Sequence, residues 1–582
     1  MGRFRAAFSR QTTDDDVTSV NRSTVVDNKQ EDAAGNVPAD HVPDETQPNA
    51  PTEGAQRGVH NVEAVTLTWS KKSLIAVFIN IWFLYLVNAF QSNILTNLLP
   101  FVTSQWESHS LLNVIYVVAD AMSAATFIPL AKVMDVWGRA EGFLIMTVFA
   151  TLVLTAGQVF YSIGFGGMTY CVDVITSDAS KLKNRGLAYA FTSSPYIITA
   201  FAGPKAADDF YYNVSWRWGF GCFTIIFPVV AAPLYCLLKW HVRKADKQGM
   251  LTKESSGRTF LQNVWHWTKE FDLFGVLVFS AGLIVFLLPF EIASDAPNGW
   301  GTGYIIAMIV VGCVVLIIFV LHETFVAPVP MLNFSFITDR TVIGACLLDA
   351  TYQLSYYCWA NYYTSFLQVV NDLTLAQSGY VMNTFDVVSG VLLLLVGYLI
   401  RRTGRFKWLL YISVPLYIFA QGLMIYFRRP NQSVGYLVMC QIFISIGGSI
   451  FIIIEQLAIL AAVDHQHVAA VLALLNVVGT VGDAIGATIS GAIWTNTFKK
   501  ALTMYLPSSA MSNIDAIYED LDTQLGYPVG SAARLAIQKA YGYAQTRMLA
   551  VGTGLMAMSF AWVLMIRNIN VAKVDQVRGT VF

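Results

Sequence analysis

Long apolar runs are the feature that most constrains how this chain can fold. A helix that spans a bilayer needs roughly 20 consecutive, mostly apolar residues, and fourteen runs of about that length follow one another from residue 73 onward. They lie near residues 73–93, 110–132, 142–158, 161–179, 186–204, 216–238, 272–291, 303–322, 341–365, 377–400, 408–427, 434–458, 468–494 and 548–567. The pattern predicts an all-α membrane protein with 14 transmembrane helices.

The distribution of charge supports the same class. Charged residues make up 13% of the 582 residues, about half of the roughly 25% that is usual in soluble proteins. Residues 1–72 hold 19 of the 75 charges, which leaves 56 for the other 510 residues. So little charge could not cover the surface of a soluble protein of this size. The net charge of −1 points to no nucleic-acid partner.

Basic residues predict the orientation in the membrane. With both termini inside, the inner segments hold 28 of the 37 Lys and Arg residues, and the outer ones hold nine, among them Arg428 and Arg429. Because Lys and Arg accumulate in cytoplasmic loops, both termini are predicted to be cytoplasmic. The predicted order is a disordered cytoplasmic tail (1–72), a six-helix bundle (73–238), a cytoplasmic linker (239–271), two inserted helices (272–322), a second six-helix bundle (341–567) with an extracellular loop (495–547), and a cytoplasmic C-terminus (568–582).

Two short turns reveal an internal repeat. Residues 135–139 (DVWGR) and 401–405 (RRTGR) align with Gly138 on Gly404, an offset of 266 that also places Asp120 on Asp386. Such a repeat is typical of transporters built from two parallel halves. We predict that the two turns form a conformational latch, made by Asp135, Gly138, Arg139, Arg401, Gly404 and Arg405.

Acidic residues inside the apolar runs are candidates for proton coupling. A charge at the centre of a bilayer costs on the order of 2.5–3.5 kcal/mol on insertion scales, and no Lys or Arg lies deep in the same runs to neutralise it. These acids are therefore expected to face water or to take up protons, whereas Asp178 and Glu291 lie nearer the ends of their runs. The candidates are Asp120, Asp173, Asp349, Asp386, Glu455 and Asp483.

Polar and aromatic stripes predict where cargo binds. Asp349, Gln353 and Tyr356 recur at helical spacing, and Asn476 shares a face with Asp483. A water-filled central cavity would explain these stripes, and interhelical hydrogen bonds that only hold the bundle together are the alternative. The outer loop could fold over the mouth of that cavity or be a spacer. The substrate-binding candidates are Tyr170, Gln353, Tyr356, Tyr357, Trp359, Asn476, Tyr527, Arg534 and Tyr541.

Longer stretches carry a family resemblance. The turn at 135–139 resembles the loop motif of the major facilitator superfamily, although Ala140 and Glu141 replace the further basic residue of that motif. Taken together, four regions between residues 73 and 567 resemble fungal siderophore–iron transporters. They are residues 339–346 (DRTVIGAC), 352–359 (YQLSYYCW), 401–407 (RRTGRFK), and 527–531 (YPVGS) leading to 540–545 (AYGYAQ).

The resemblance implies a transporter that imports ferric siderophores, driven by the proton gradient and with no cofactor of its own. It implies a monomer in the lipid bilayer, in the plasma membrane or in endosomal vesicles. Members of the family that handle other cargo leave open a drug or glutathione antiporter and a haem importer. A sensor or receptor that binds its ligand without transporting it is the alternative from a different class of protein. The sequence contains no catalytic constellation, metal-ligand spacing or phosphate-binding loop, so we predict neither an enzyme nor a resident metal site.

Overall fold

The computed structural model describes residues 57–104, 112–152, 158–251, 259–293, 296–327, 336, 338–574, 576 and 581–582. All of these residues belong to one unit, which extends from Asn49 to Phe582. Residues 1–56 of the tail predicted for residues 1–72 lie outside the described residues.

The described part of the chain is helical and contains no strand. The first half contains α1 (Arg57–Thr68), α2 (Lys71–Ser104), α3 (Leu112–Val136), α4 (Arg139–Leu152), α5 (Gln158–Asp178), α6 (Leu182–Ser193), α7 (Pro195–Asp209) and α8 (Trp216–Lys247). The middle contains α9 (Phe260–Glu270), α10 (Leu273–Ile292) and α11 (Gly303–Leu321). The second half contains α12 (Arg340–Ala360), α13 (Tyr363–Asn371), α14 (Leu375–Met382), α15 (Thr384–Thr403), α16 (Lys407–Phe427), α17 (Val434–Ala461), α18 (Val468–Tyr505), α19 (Ile514–Glu519), α20 (Leu521–Gly526), α21 (Ala532–Met556) and α22 (Ser559–Met565).

The all-α prediction is confirmed for the described residues, and the described part of each of the fourteen apolar runs is largely helical. Ten helical segments among these residues are long and apolar enough to cross a membrane. The other four runs correspond to α4, α5, α6 with α7, and α12, which are helical but shorter or more polar. Fourteen membrane crossings therefore remain a prediction.

The two halves meet along two sets of helices. Helix α18 packs along α3 and α12, and α15 packs along α6 and α7. The second contact includes a close approach of backbones, because a Cβ atom at Gly397 would lie 2.9 Å from the carbonyl carbon of Gly186. Residues from both halves thus line the region between them.

Two of the predicted spans are broken helices. The run at 186–204 divides at Ser194, where Pro195 begins α7, because proline has no N–H to continue the hydrogen bonds of α6. The run at 377–400 divides at Asn383, whose Nδ2 donates to the carbonyl oxygen of Ala200 in the other half (3.2 Å). Both breaks thus lie in the helices that join the halves.

The bundle has two ends, which we name by their features. The motif end carries the turns at 135–139 and 401–405. The cap end carries the segment 506–531, which we call the cap. Since α18 continues to Tyr505 and α21 already begins at Ala532, the cap is about half as long as the loop predicted for 495–547.

The motif end also differs from the sequence prediction. The tail was predicted to remain unstructured up to residue 72, but α1 begins at Arg57. Thr68 at the end of α1 joins α8, because its hydroxyl lies 3.1 Å from His241 Nδ1 and its carbonyl oxygen accepts from Lys244 Nζ (3.0 Å). The predicted linker at 239–271 likewise contains the end of α8 and all of α9, while residues 252–258 lie outside the described part.

Candidate functional site

Four of the predicted acids form one cluster between the halves. Asp483 on α18 interacts electrostatically with Asp120 on α3 and with Asp349 on α12. Asp349 in turn shares a side-chain hydrogen bond with Glu455 on α17. Acids from both halves therefore interact. The offset of 266 residues aligns Asp120 with Asp386 and does not predict this interaction of Asp120 with Asp483.

Small residues on α18 make this cluster possible. A Cβ atom at Gly479 would overlap the carboxylate of Asp349, and one at Gly482 would lie 2.5 Å from the carbonyl oxygen of Ala350. Glycine at these positions lets two helix backbones approach closely, as is common in membrane bundles. The carboxylate of Asp349 is held against the backbone of α18 as a result.

Tyrosines connect this cluster to the other two acids. Tyr357 interacts with Asp483 and Asp120, and Tyr356 interacts with Asp386. Tyr196 on α7 interacts with both Asp386 and Asp173. Acids and tyrosines of both halves therefore interact with one another in this region.

Asp173 is held more firmly than the acids of the cluster. The hydroxyl of Tyr85 on α2 donates to Asp173 Oδ1 over 2.5 Å, and the hydroxyl of Tyr189 donates to the backbone oxygen of Asp173 over 3.1 Å. In contrast, Asp120 Oδ2 and Asp483 Oδ1 are buried atoms with no hydrogen-bond partner among the described residues. These two oxygens are free to accept a proton or a bond from cargo.

The remaining substrate-binding candidates occupy different environments. Gln353, Tyr356, Tyr357 and Asn476 are half-buried on the helices that carry the acids. The hydroxyl of Tyr170 instead donates to the carbonyl oxygen of Ala469 (2.8 Å), so it joins α5 to α18.

The cap candidates are engaged in protein contacts. Arg534 is buried and donates to the carbonyl oxygens of Gln524 (2.6 Å) and Gln368 (3.2 Å) and to Asp372 Oδ1 (3.1 Å). The buried hydroxyl of Tyr541 donates to Gln524 Oε1 (2.8 Å), while the half-buried Tyr527 accepts from Asn513 (3.1 Å). We assign Arg534 and Tyr541 to anchoring the cap, since both make their hydrogen bonds within the protein and Asp372 balances the charge of Arg534.

The cap also touches the first half of the chain. The backbone N–H of Leu521 donates to the hydroxyl of Ser104 at the end of α2 (3.1 Å), and Tyr211 donates to Asp522 Oδ2 (2.9 Å). Both contacts join halves that are remote in sequence. The cap therefore bridges the two halves at the cap end.

The two latch turns are built differently. In the first, Arg139 donates to Asp178 Oδ2 (2.9 Å) and Asp135 Oδ1 (2.6 Å), and all three side chains are buried or nearly so. In the second, Arg401 and Arg405 are exposed, and no ion pair of theirs is found among the described residues. Gly404 ends α15 with φ of +69°, and its carbonyl oxygen accepts from the N–H of Val571 (2.9 Å). A backbone hydrogen bond from Val571 holds the second turn, whereas a salt bridge holds the first.

Sequence reasoning missed residues at both ends of the bundle. The charge count treated Arg428 as an outer-loop residue, but its side chain is fully buried. At the motif end, Gln576 accepts from Arg185 Nη1 (3.0 Å), and the backbone of Phe582 pairs with Ala179 and Lys181 (2.9 Å each). The aromatic residues at the end of α12 and in α13 are a sequence signal that could have marked Arg428, whereas no sequence signal marks Gln576.

No group of three or more His, Cys, Asp or Glu residues in the described ranges is placed to hold a metal ion. The chemistry that the site offers is proton exchange on carboxylates and hydrogen bonding from tyrosines. Since both halves contribute, a relative movement of the halves would change the surroundings of these groups.

Comparison with known proteins identifies the class. A family model described as Major Facilitator Superfamily matches residues 81–487. The human organic anion transporter MFSD10 (TETRAN) has a crystal structure that matches with a TM-score of 0.51 at 11% identity, covering 84% of this chain and 99% of that one. This similarity concerns the fold alone.

Curated relatives are much closer in sequence. The siderophore iron transporter mirB of Emericella nidulans is 57% identical over 545 residues, which is 91% of this chain and 90% of that protein. The MFS siderochrome iron transporter B of Aspergillus fumigatus is 54% identical over 544 residues, or 91% of this chain and 88% of that protein. The chain belongs to the Major Facilitator Superfamily and, within it, to the family of these siderophore iron transporters. It is an integral membrane transport protein.

Proposed function

We propose that this protein imports ferric siderophores across a fungal membrane and that protons moving down their gradient drive the import. The observation that carries the proposal is the series of acids between the halves, in a chain that is 54–57% identical to proteins named as siderophore iron transporters. Fourteen membrane crossings, cytoplasmic termini and a monomeric state belong to the proposal. The membrane is the plasma membrane, with endosomal vesicles as the second location.

The mechanism follows from the geometry of the two halves. Rocking of the halves about the central contacts would expose the site alternately at the cap end and at the motif end. In the proposed topology the cap end is extracellular, so opening of the Tyr211–Asp522 contact admits cargo. Opening of the contacts around Arg139 and Gln576 then releases cargo to the cytoplasm.

Proton coupling requires groups whose protonation depends on the state of the transporter. Asp483 interacts electrostatically with both Asp120 and Asp349, and like charges that interact oppose simultaneous ionisation. Binding of a proton would relieve this repulsion and favour the arrangement of the halves seen here. Release would follow when the halves separate and water reaches the carboxylates.

Uptake of iron-55 siderophores in a host that lacks its own siderophore transporters tests the proposal. We expect saturable uptake of at least one ferric siderophore, which a protonophore abolishes. Normal surface expression without uptake of any siderophore in a panel would contradict import. Uptake that persists unchanged with the protonophore would contradict proton coupling alone.

A further inference from the structure

Arg428 is a buried cation enclosed by aromatic rings. It directly follows α16, and its side chain is 0% exposed. The guanidinium carbon lies 4.1 Å from the ring centre of Tyr363, 5.1 Å from that of Trp359 and 5.3 Å from that of Phe366. Contacts of this kind between a cation and ring faces stabilise a desolvated charge, so three rings of one short segment hold the guanidinium in place.

The hydrogen-bonding capacity of Arg428 is mostly unused. Nη2 donates to the carbonyl oxygen of Trp359 over 3.2 Å, whereas Nε and Nη1 have no partner among the described residues. Nε carries one N–H and Nη1 carries two, so three of the five donors lack an acceptor. No described carboxylate is close enough to neutralise the charge.

A buried guanidinium of this kind lowers the stability of the protein unless a further group accepts its hydrogen bonds and balances its charge. A buried charge without a counter-charge destabilises a protein by several kcal/mol, and buried donors without acceptors add to this cost. The acceptor that suits a guanidinium best is a group with two oxygens carrying negative charge, because its donors form a planar fork. The missing partner is therefore expected to be oxygen-rich and anionic in character.

Arg428 adjoins the candidate site. Tyr356, half-buried on α12, interacts electrostatically both with Asp386 and with Arg428. Trp359 and Tyr363 lie one turn and two turns further along the same region. Cargo that contacts Tyr356 would thus come within reach of the guanidinium.

We propose that Arg428 recognises the cargo by donating hydrogen bonds to the oxygens that ligate iron in the chelate. This inference rests on the proposed function. Iron-bound oxygens of a siderophore are deprotonated and held close together, whereas those of the iron-free ligand are protonated and mobile. Arg428 therefore distinguishes the loaded from the empty siderophore, and it acts as a specificity residue that touches the substrate.

Uptake kinetics of substituted proteins test this role. Arg428→Gln removes the charge and the fork, Arg428→Lys keeps the charge without the fork, and Arg429→Gln alters the exposed neighbour as a matched control. The probes are the iron-55 chelate that the wild type imports best and, as a competitor, the same siderophore without iron. Surface levels are measured alongside, so that KM is compared only for protein in the membrane.

We expect Arg428→Gln to raise KM for the ferric chelate about tenfold or more, the loss expected for charged hydrogen bonds. Arg428→Lys should raise KM severalfold and Arg429→Gln should leave it unchanged. Inhibition by the iron-free siderophore should be absent or unaltered in every variant. If Arg428→Gln does not reach the membrane, the KM of Arg428→Lys alone tests whether Arg428 contacts the cargo.

The inference would be overturned by an unchanged KM in whichever variant reaches the membrane, or by equal weakening of the loaded and the iron-free ligand, because a purely structural cation would act in these ways. Failure of the wild type to import any ferric chelate would instead contradict the proposed function.

Discussion

Arg139, the first residue of α4, donates from Nε to Asp178 Oδ2 at the end of α5 over 2.9 Å. The same guanidinium holds Asp135 through Nη1 (2.6 Å). One cation thus neutralises two carboxylates at the motif end of the first half. Breaking a buried ion pair by removing one partner costs about 3–5 kcal/mol.

Arg139→Gln is therefore expected to lower the melting temperature and to slow transport, since two buried carboxylates lose their cation. KM should change little because Arg139 lies at the end of the bundle. Arg405→Gln, at the equivalent position of the second turn, is the control, since Arg405 is exposed. Equal effects of the two substitutions, measured as melting temperature and uptake rate, would argue against a special role of the first turn.

Close packing of α18 on α12 gives a second prediction. Alanine at Gly482 would bring its Cβ atom to 2.5 Å from the carbonyl oxygen of Ala350, and overpacking of this kind costs typically about 1–3 kcal/mol. We expect Gly482→Ala to reduce the amount of folded protein and its melting temperature. Gly554→Ala on α21, where no atom lies within 4 Å of the added Cβ, should be neutral or slightly stabilising. A Gly482→Ala protein as stable as Gly554→Ala would contradict the packing.

Helix α1 determines how much of the N-terminus can be removed. Deletion of residues 1–56 should leave transport largely intact. Deletion of residues 1–69 removes Thr68 and its contacts with His241 and Lys244, and should lower both stability and uptake. Fluorescence-detected size exclusion and uptake assays compare the two truncations. Equal activity of both would show that α1 is dispensable.

His465 gives the motif end a dependence on pH. Burial lowers the pKa of His465, and the groups that face it are Asp178, Arg185, Glu63 and Arg139. Because the pKa in the fold lies below the usual value near 6.5, the folded motif end is most stable above about pH 6.5 and loses stability as the pH falls. The loss in melting temperature between pH 7.5 and 5.5 should be smaller in His465→Gln than in the wild type. An identical loss in both proteins would eliminate His465 as its cause.

Periodicity predicted the helices well because each apolar run carries its own signal. Pro195 in the sequence also indicates the break before α7. No proline marks the break at Asn383, where the side chain instead contacts Ala200 in the other half. The predicted outer loop was too long because α18 and α21 extend on either side of the cap as more polar helix, beyond the apolar part that a membrane-span pattern detects.

The acids of the site were found from sequence, but their grouping was not. Helical spacing shows that Asp349 and Gln353 share a face, yet it cannot show that Asp483 and Asp120 lie opposite that face, since this depends on how α18 packs between α3 and α12. Arg534 was a candidate for cargo contact because the outer loop could fold over the mouth of the cavity. Its side chain is instead buried and donates to Gln368 and Asp372. The sequence does show why the two turns differ. At the offset of 266 residues, Asp135 of the first turn aligns with Arg401 of the second, so the second turn lacks the acid that pairs with Arg139.

The central claim is that acids between the halves couple protons to cargo. Proteoliposomes that contain the protein and an internal pH-sensitive dye test it when ferric siderophore is added outside, without an imposed gradient. We predict that wild-type vesicles acidify as cargo enters, while Asp120→Asn and Asp386→Asn take up cargo with little or no acidification, and Asp515→Asn, an exposed residue of the cap, behaves as wild type. Cargo entry into wild-type vesicles without any acidification would contradict the account.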